Sequence, residues 1–244
     1  MPISRRSLFH AAAISLPAMA VSVAAHAEEA VDNTDYPMAA DPSLVLALRE
    51  ASSAYKAQTN IVIHILPTAP ALLVPQMTHE IQNDIVMART DIVAELDHAC
   101  CFVEGTPRPR FANRYVLAAR DEAGLKGTIA YTDLSGGRPR DEIAILASLG
   151  LGEAKHIGCL DSLDAAAMAA SGAAGAALCR TSDLAAHPEL KITRVLTDAM
   201  AAPDIFIATV TRSPRRPRPE GFVAFLASAS GTAIMARHGL EKLA

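Results

Sequence analysis

The apolar positions of this chain change period along its length. From Ser43, residues Leu44, Ala47, Leu48, Ala51 and Tyr55 recur at helical spacing, and Thr59-Asn60 ends the run. Ile61-Val62-Ile63-His64-Ile65-Leu66 is then a compact, β-branched segment with strand character. Pro67-Thr68-Ala69-Pro70 reads as a loop, 71–81 as a helix, and Ile85-Val86-Met87 as a second strand. Beyond an irregular stretch over 97–113, the pattern predicts strands over 114–119, 127–131, 155–160, 174–179 and 205–210. The turn Ser135-Gly136-Gly137-Arg138-Pro139 opens a helix to about 149, with Pro139 in its first turn. Ser162 is the expected N-cap of an Ala-rich helix to 171, and one closing helix is expected over 220–238. Residues 28–41 read as a polar leader. Strands that alternate with helices in this way predict an α/β fold built on parallel sheets.

The N-terminus does not belong to that pattern. Arg5 and Arg6 precede a small, apolar run from Ala11 to Ala25, and Ala25-His26-Ala27 fits the small-x-small site of signal peptidase. Ser4-Arg5-Arg6-Ser7-Leu8-Phe9 resembles a twin-arginine export signal. The run is interrupted by Pro17 and falls short of the ~20 apolar residues a membrane span needs. The expectation is export to the periplasm with cleavage after Ala27, leaving 28–244 to fold.

Composition narrows the partners. The chain has 22 Lys and Arg against 26 Asp and Glu, and loss of Arg5 and Arg6 leaves 20 against 26, about −6. That balance argues against nucleic acid, whose phosphates need a basic surface. Hydrophobic residues make up 51%, enough for a sizeable core, but aromatics are only 4% and Trp is absent. Few broad aromatic faces point to a small, polar ligand. The exporting route permits disulfides for Cys100, Cys101, Cys159 and Cys179. Cys159 and Cys179 could lie on neighbouring strands and form one, or stay free. Cys100-Cys101 with His98 matches no established zinc spacing.

No phosphate-binding Gly-rich loop, nucleophile elbow, metalloprotease His pair or dinucleotide fingerprint is present, so nothing in the sequence argues for catalysis, a cofactor or a metal. His64, inside an apolar strand, reads as structural. The more informative pattern is a set of helices that begin after Ser-, Thr- or Gly-containing loops. Helix N-termini offer unpaired N–H donors and the positive end of the macrodipole, so several that converge make an oxyanion site. The candidates are Ser43, Thr68-Ala69, Gly137-Arg138 and Ser162-Leu163, each of which alone is also an ordinary cap. Arg180 ends a predicted strand, where ligands of open α/β sheets bind. It could hold an anion through its guanidinium fork or pair with Asp183. Arg212, Arg215, Arg216 and Arg218 form a basic loop, either solvated or a docking surface for a partner or anionic lipid.

Taken in order, these segments resemble the molybdate-binding, type II periplasmic solute-binding proteins of ABC importers. The resemblance is carried by Ser43-Leu44, the helix end and strand 55–63, Gln76-Met77 followed by Asn83-Asp84-Ile85, and Ala112-Asn113-Arg114-Tyr115-Val116-Leu117. It continues through Ser162-Leu163-Asp164, Ser182-Asp183, Phe222 to Ser228, and Gly231-Thr232-Ala233-Ile234 to His238-Gly239-Leu240. It implies an α/β fold of two lobes, each a mostly parallel sheet flanked by helices, that close on a ligand in the cleft between them. Lobe 1 would be 28–113 plus 208–244 and lobe 2 would be 114–207. By the same resemblance the ligand is a small oxyanion, held near Ser43, Thr68, Ala69, Gly137, Arg138, Leu163 and Arg180, the last in place of the family's Tyr. A monomer would deliver it to an ABC permease in the inner membrane. An added Arg also fits an organic acid, and the same fold could serve as a sensor or accessory without transport. A hydrolase using a Cys or His is the remaining alternative.

Overall fold

The computed structural model describes residues 35–132, 142–212 and 219–244. Eleven strands form two sheets among these residues. The first contains β1 (Asp35–Ala40), β2 (Val62–Pro67), β3 (Ile85–Arg89), β4 (Arg110–Asn113), β10 (Asp204–Val210) and β11 (Leu240–Lys242), in the order β11-β4-β10-β3-β1-β2. The second contains β5 (Tyr115–Ala119), β6 (Ile129–Thr132), β7 (His156–Cys159), β8 (Ala176–Arg180) and β9 (Lys191–Val195), in the order β7-β6-β8-β5-β9. The chain crosses to the second sheet between Asn113 and Tyr115. It is back in the first by Asp204, four residues ahead of the boundary expected at 208.

The sequence predicts mostly parallel sheets; both are mixed. β1 runs parallel to β2 and β3, and β6 parallel to β7 and β8. β10 is antiparallel to β3 and β4, and β5 is antiparallel to β8 and β9. The reason is topological. Strands linked by a helix return parallel, whereas a strand arriving from the other lobe enters from the opposite end.

Alternation along the strands divides the first lobe's core into two layers. Met38, Ala40, Ile85 and Met87 face Leu48 and Tyr55 of α1 (Val45–Thr59), Phe222 and Phe225 of α6 (Glu220–Ala227), and Met235 of α7 (Ala229–Arg237). Ala39, Val86 and Ala88 point the other way, onto Leu73 and Met77 of α2 (Pro70–His79) and Ile92, Val93 and Leu96 of α3 (Thr90–His98). In the second lobe, Ala165, Ala166, Ala169 and Ala170 of α5 (Ser162–Ser171) seat that helix on Val116, Ala118, Ala177 and Cys179. α4 (Glu142–Ser148) buries Leu146 against the opposite face with Tyr115, Leu117, Ile129 and Leu178. The alanines that dominate the composition are thus the contact layer of the second lobe.

Several elements depart from the pattern. The expected polar leader holds β1, which lies between β3 and the edge strand β2; Asp35, Tyr36 and Pro37 disguise its first half, while Met38, Ala39 and Ala40 are fully buried. The edge strands β9 and β11 and the helix α3 were not legible, because β9 is largely exposed and β11 is only three residues long. The closing helix is two helices. Ser228 is extended, its Oγ accepts from the Gly231 N–H at 3.2 Å, and a Cβ on Gly231 would meet the Phe225 carbonyl oxygen at 2.1 Å. The cap of α5 is Asp161, whose Oδ1 accepts from the Asp164 N–H at 2.8 Å, and Ser162 is the first helical residue. α1 ends on Asn60 at φ 61°, a left-handed cap that Asn tolerates.

All four cysteines are free. A Cys159–Cys179 bridge is ruled out by strand order, since β6 separates β7 from β8. Cys179 is fully buried and its thiol is held well above the usual range by burial first, then by Asp183. Cys101 is buried and Cys100 exposed. Among the described residues no group of three or more His, Cys, Asp and Glu is placed to hold a metal. His64 is exposed and lies 3.4 Å from Asp35. No helix among the described residues is long and apolar enough to cross a membrane.

One glycine has a checkable role between the lobes. Gly239 sits at φ 76° with its carbonyl accepting from Thr181 Oγ1 at 2.7 Å, and an added Cβ would lie 2.8 Å from Thr181 Cβ. Gly239→Ala is expected to cost about 1–2 kcal/mol, from the left-handed backbone and the clash together. Chemical denaturation measures this, and an unchanged midpoint would show that the two segments separate freely.

Candidate binding cleft

The carboxyl ends of β1, β3, β6, β7 and β8 converge on one cavity of about 290 Å³. Lobe 1 supplies Asp41, Pro42, Ala69 to Ala71 and Arg89; lobe 2 supplies Thr132, Leu160, Asp161 and Arg180. Strand ends are where side chains can leave a sheet without disturbing its faces, and where open α/β sheets take ligands. A larger groove of about 1150 Å³ lies on lobe 1 alone, along β2, α2 and residues 79–83, away from the convergent strand ends.

Among the described residues, two arginines, one from each lobe, are the buried cations of the cleft, each only 4% exposed. Arg180 ends β8. Its Nε donates to Asp204 Oδ2 at 2.5 Å, its Nη1 to Ser162 Oγ, and its Nη2 to Tyr115 Oη at 3.4 Å, over whose ring the guanidinium lies at 5.2 Å. Burial works against the charge, but Asp204, Tyr115, Asp41 and Asp183 outweigh it, and the pKa of Arg180 is raised. Its main partner is therefore Asp204, from the strand that returns to lobe 1. Asp183 instead accepts the Arg180 backbone N–H at 2.8 Å. Arg89 ends β3 and donates through Nε and Nη2 to the two carboxylate oxygens of Asp91, at 3.2 and 3.0 Å. Asp91 is held below its ordinary range: burial pushes up, and Arg89 with the Ile92 N–H pulls further down.

Two carboxylates share the cavity with them. Asp41 Oδ1 accepts from both Ser43 N–H at 3.1 Å and Ser43 Oγ–H at 2.8 Å, capping the 3-10 turn Pro42–Leu44 ahead of α1. Asp161 caps α5 in the same way. These two helix starts thus carry a carboxylate of the chain itself, whereas the start of α2, at Ala69 to Ala71, has no side-chain cap.

Behind Arg180 lies an acidic pair. Glu142 accepts from the Thr132 N–H at 2.8 Å and from Tyr115 Oη at 3.3 Å, yet burial pushes its pKa up to about 7 against these bonds and the Arg180 charge. Asp183 is pushed up to about 6, again by burial, with Arg180 opposing. A carboxyl whose folded pKa exceeds its unfolded value favours the fold most when protonated. That stability is full below about pH 4.5 and is lost as pH rises through 7, on the order of 3 kcal/mol for Glu142. Glu142→Gln is therefore expected to flatten the fall in Tm between pH 5 and 8 relative to the natural protein. Parallel Tm curves would sink this.

The residues expected from sequence are distributed unevenly. Ala69 and Arg180 line the cavity. Ser43 is buried beside it with its donors taken by Asp41, and Leu163 stands in the first turn of α5, two residues after Asp161. Thr68 faces the outer groove and donates to the Leu66 carbonyl at 3.1 Å. Gly137 and Arg138 lie outside the described residues, as do Arg215, Arg216 and Arg218. Arg212 of that loop donates to the Phe102 carbonyl at 2.8 Å. The reading missed Arg89, Asp41, Asp161 and Glu142. Arg89 had a signal: a charge directly after the apolar strand Ile85 to Ala88. Asp41 had none while β1 went unrecognised.

Two α/β lobes joined by two crossings, with charged side chains at strand ends turned into one cavity, define a two-lobed solute-binding protein. The family model of the bacterial extracellular solute-binding proteins matches residues 37–241, and the chain belongs to that family, whose members bind solutes and are not an enzyme class. No match is found among curated protein sequences. Among solved structures, the substrate binding domain of a putative molybdenum ABC transporter from Clostridium difficile is similar over 86% of this chain and 99% of its own, with 21% identity and a TM-score of 0.68. The periplasmic molybdate-binding protein of Azotobacter vinelandii is similar over 84% and 98%, with 15% identity and a TM-score of 0.69. PEB3, a Campylobacter jejuni protein, solved with bound L-phospholactate, is similar over 85% and 99%, with 14% identity and a TM-score of 0.63.

Proposed function

We propose that this protein is exported to the periplasm, cleaved after Ala27, and serves as the monomeric binding component of an ABC importer. Its ligand is a small organic carboxylate held between the lobes and handed to an inner-membrane permease. The observation that carries the reading is the pair Arg89 and Arg180, buried in opposite lobes and lining one cavity. A guanidinium from each side gives an anion a reason to draw the lobes together, and its planar fork matches a carboxylate. The wall between them is apolar, from Pro42, Ala69, Pro70, Ala71 and Leu160, which suits a carbon skeleton. The cavity lies at the small end of ligand sites.

The second reading is a molybdate- or tungstate-like oxyanion, favoured by the likeness to a molybdenum transporter's substrate binding domain and to a molybdate-binding protein, and by the placement of Ser43 beside the cleft. It is the weaker one, because the Ser43 N–H and hydroxyl each have one proton and give it to Asp41, whereas a guanidinium has five N–H donors and Arg89 and Arg180 keep some beyond their protein partners. A thermal-shift screen separates them. A ligand that binds only the folded state raises Tm, by about 2.7 kcal/mol of stability at a hundred times Kd. Shifts with short organic acids, lost in Arg89→Ala, support the carboxylate reading. Shifts with molybdate and tungstate alone would replace it.

A further inference from the structure

The cleft is lined by carboxylates as well as arginines, and that mixture carries information about the ligand beyond its carboxylate. Arg89 and Arg180 share the cavity wall with Asp41 and Asp161. The two aspartates stand at helix starts, where the backbone would otherwise welcome an anion, and each spends Oδ1 on its cap. Any purely anionic ligand drawn to the arginines would meet two like charges in a space of about 290 Å³. Asp41 is 8% exposed, so little water screens it. It lines the same cavity as Arg180, from the other lobe.

We infer that the ligand is a small amino acid, a zwitterion. Its carboxylate pairs with Arg89 and Arg180, its ammonium with Asp41 and Asp161, and its methylenes lie on Pro42, Ala69 to Ala71 and Leu160. An ammonium brings donors and no acceptor, the complement of two carboxylates. The inference rests on the reading of the cleft as an organic carboxylate site, and adds the second charge.

The test is isothermal titration calorimetry of the exported protein with five probes: 2-aminobutanoate, 4-aminobutanoate, butanoate, succinate and molybdate. One of the aminobutanoates is expected to bind at least tenfold more tightly than butanoate or succinate. Asp41→Asn and Asp161→Asn keep a capping oxygen and so preserve the fold. Each is expected to weaken the aminobutanoate tenfold or more and to tighten butanoate, which no longer meets that like charge. Equal or tighter binding of butanoate or succinate would overturn the inference and leave the carboxylate reading standing. Binding of molybdate alone, or of none of the five, would overturn both.

Discussion

Arg180→Ala is expected to lower the unfolding free energy by about 3–5 kcal/mol, the usual result of stranding one member of a buried ion pair. For a chain of this size that is a drop in Tm of roughly 10 °C or more. The physical cause is Asp204, whose side chain is fully buried and whose Oδ2 receives the Arg180 Nε–H. Without the guanidinium that carboxylate loses its buried counter-charge. The double variant Arg180→Ala/Asp204→Asn is expected to regain much of the lost stability, because an amide costs less to bury than a carboxylate. It is not expected to regain ligand binding. Urea unfolding of the single and double variants gives the coupling directly. If the single variant is as stable as the natural protein, the pair is not the buried contact described above.

Arg89→Ala is expected to do the opposite. Its partner Asp91 has a side chain 40% exposed, so the carboxylate stays hydrated when the arginine is lost and stability should change by about 1 kcal/mol or less. Ligand binding should weaken by about 2–3 kcal/mol, roughly 30- to 150-fold in Kd, because the ligand loses a desolvated cation on one wall. Arg89→Lys restores the charge but not the fork, and should recover only part of the affinity. Calorimetry with the tightest ligand of the thermal-shift screen measures all three. A large loss of stability with unchanged affinity would make Arg89 a structural residue of lobe 1 alone.

The contrast between the two arginines also marks what the sequence could reveal. Strands with continuous apolar runs, such as β3 and β8, and the helix α1 were legible, because burial on one or both faces leaves a period that can be read. The two-lobe α/β fold followed from their order and from the family resemblance. β1 was not legible, because half of this strand is Asp35-Tyr36-Pro37, and Pro37 lacks the N–H that marks an ordinary ladder residue. With β1 went Asp41, whose place in the cleft depends on that strand's end. Arg180 was legible as a strand-end cation, but its partner was not. Asp183 lies three residues away and Asp204 lies 24, and only the return of β10 brings the second to the guanidinium. The sequence could place a helix start to within a residue or two, but not say that Asp41 and Asp161 rather than Ser43 and Ser162 cap it, nor which distant carboxylate meets Arg180.

The placement of the two crossings has a mechanical meaning. Asn113 and Asp204, where the chain leaves and rejoins the first sheet, are register partners on the adjacent strands β4 and β10. Both are tied to the same corner of lobe 2: Asn113 Nδ2 donates to Ser182 Oγ at 2.8 Å, and Asp204 holds Arg180. Two straps fixed side by side bend readily about the line that joins them and resist torsion, which would have to shear one past the other. The lobes should therefore swing like a door on paired leaves, with one angle describing the whole excursion. A single spin-label distance across the cleft mouth would then report the state of the molecule completely.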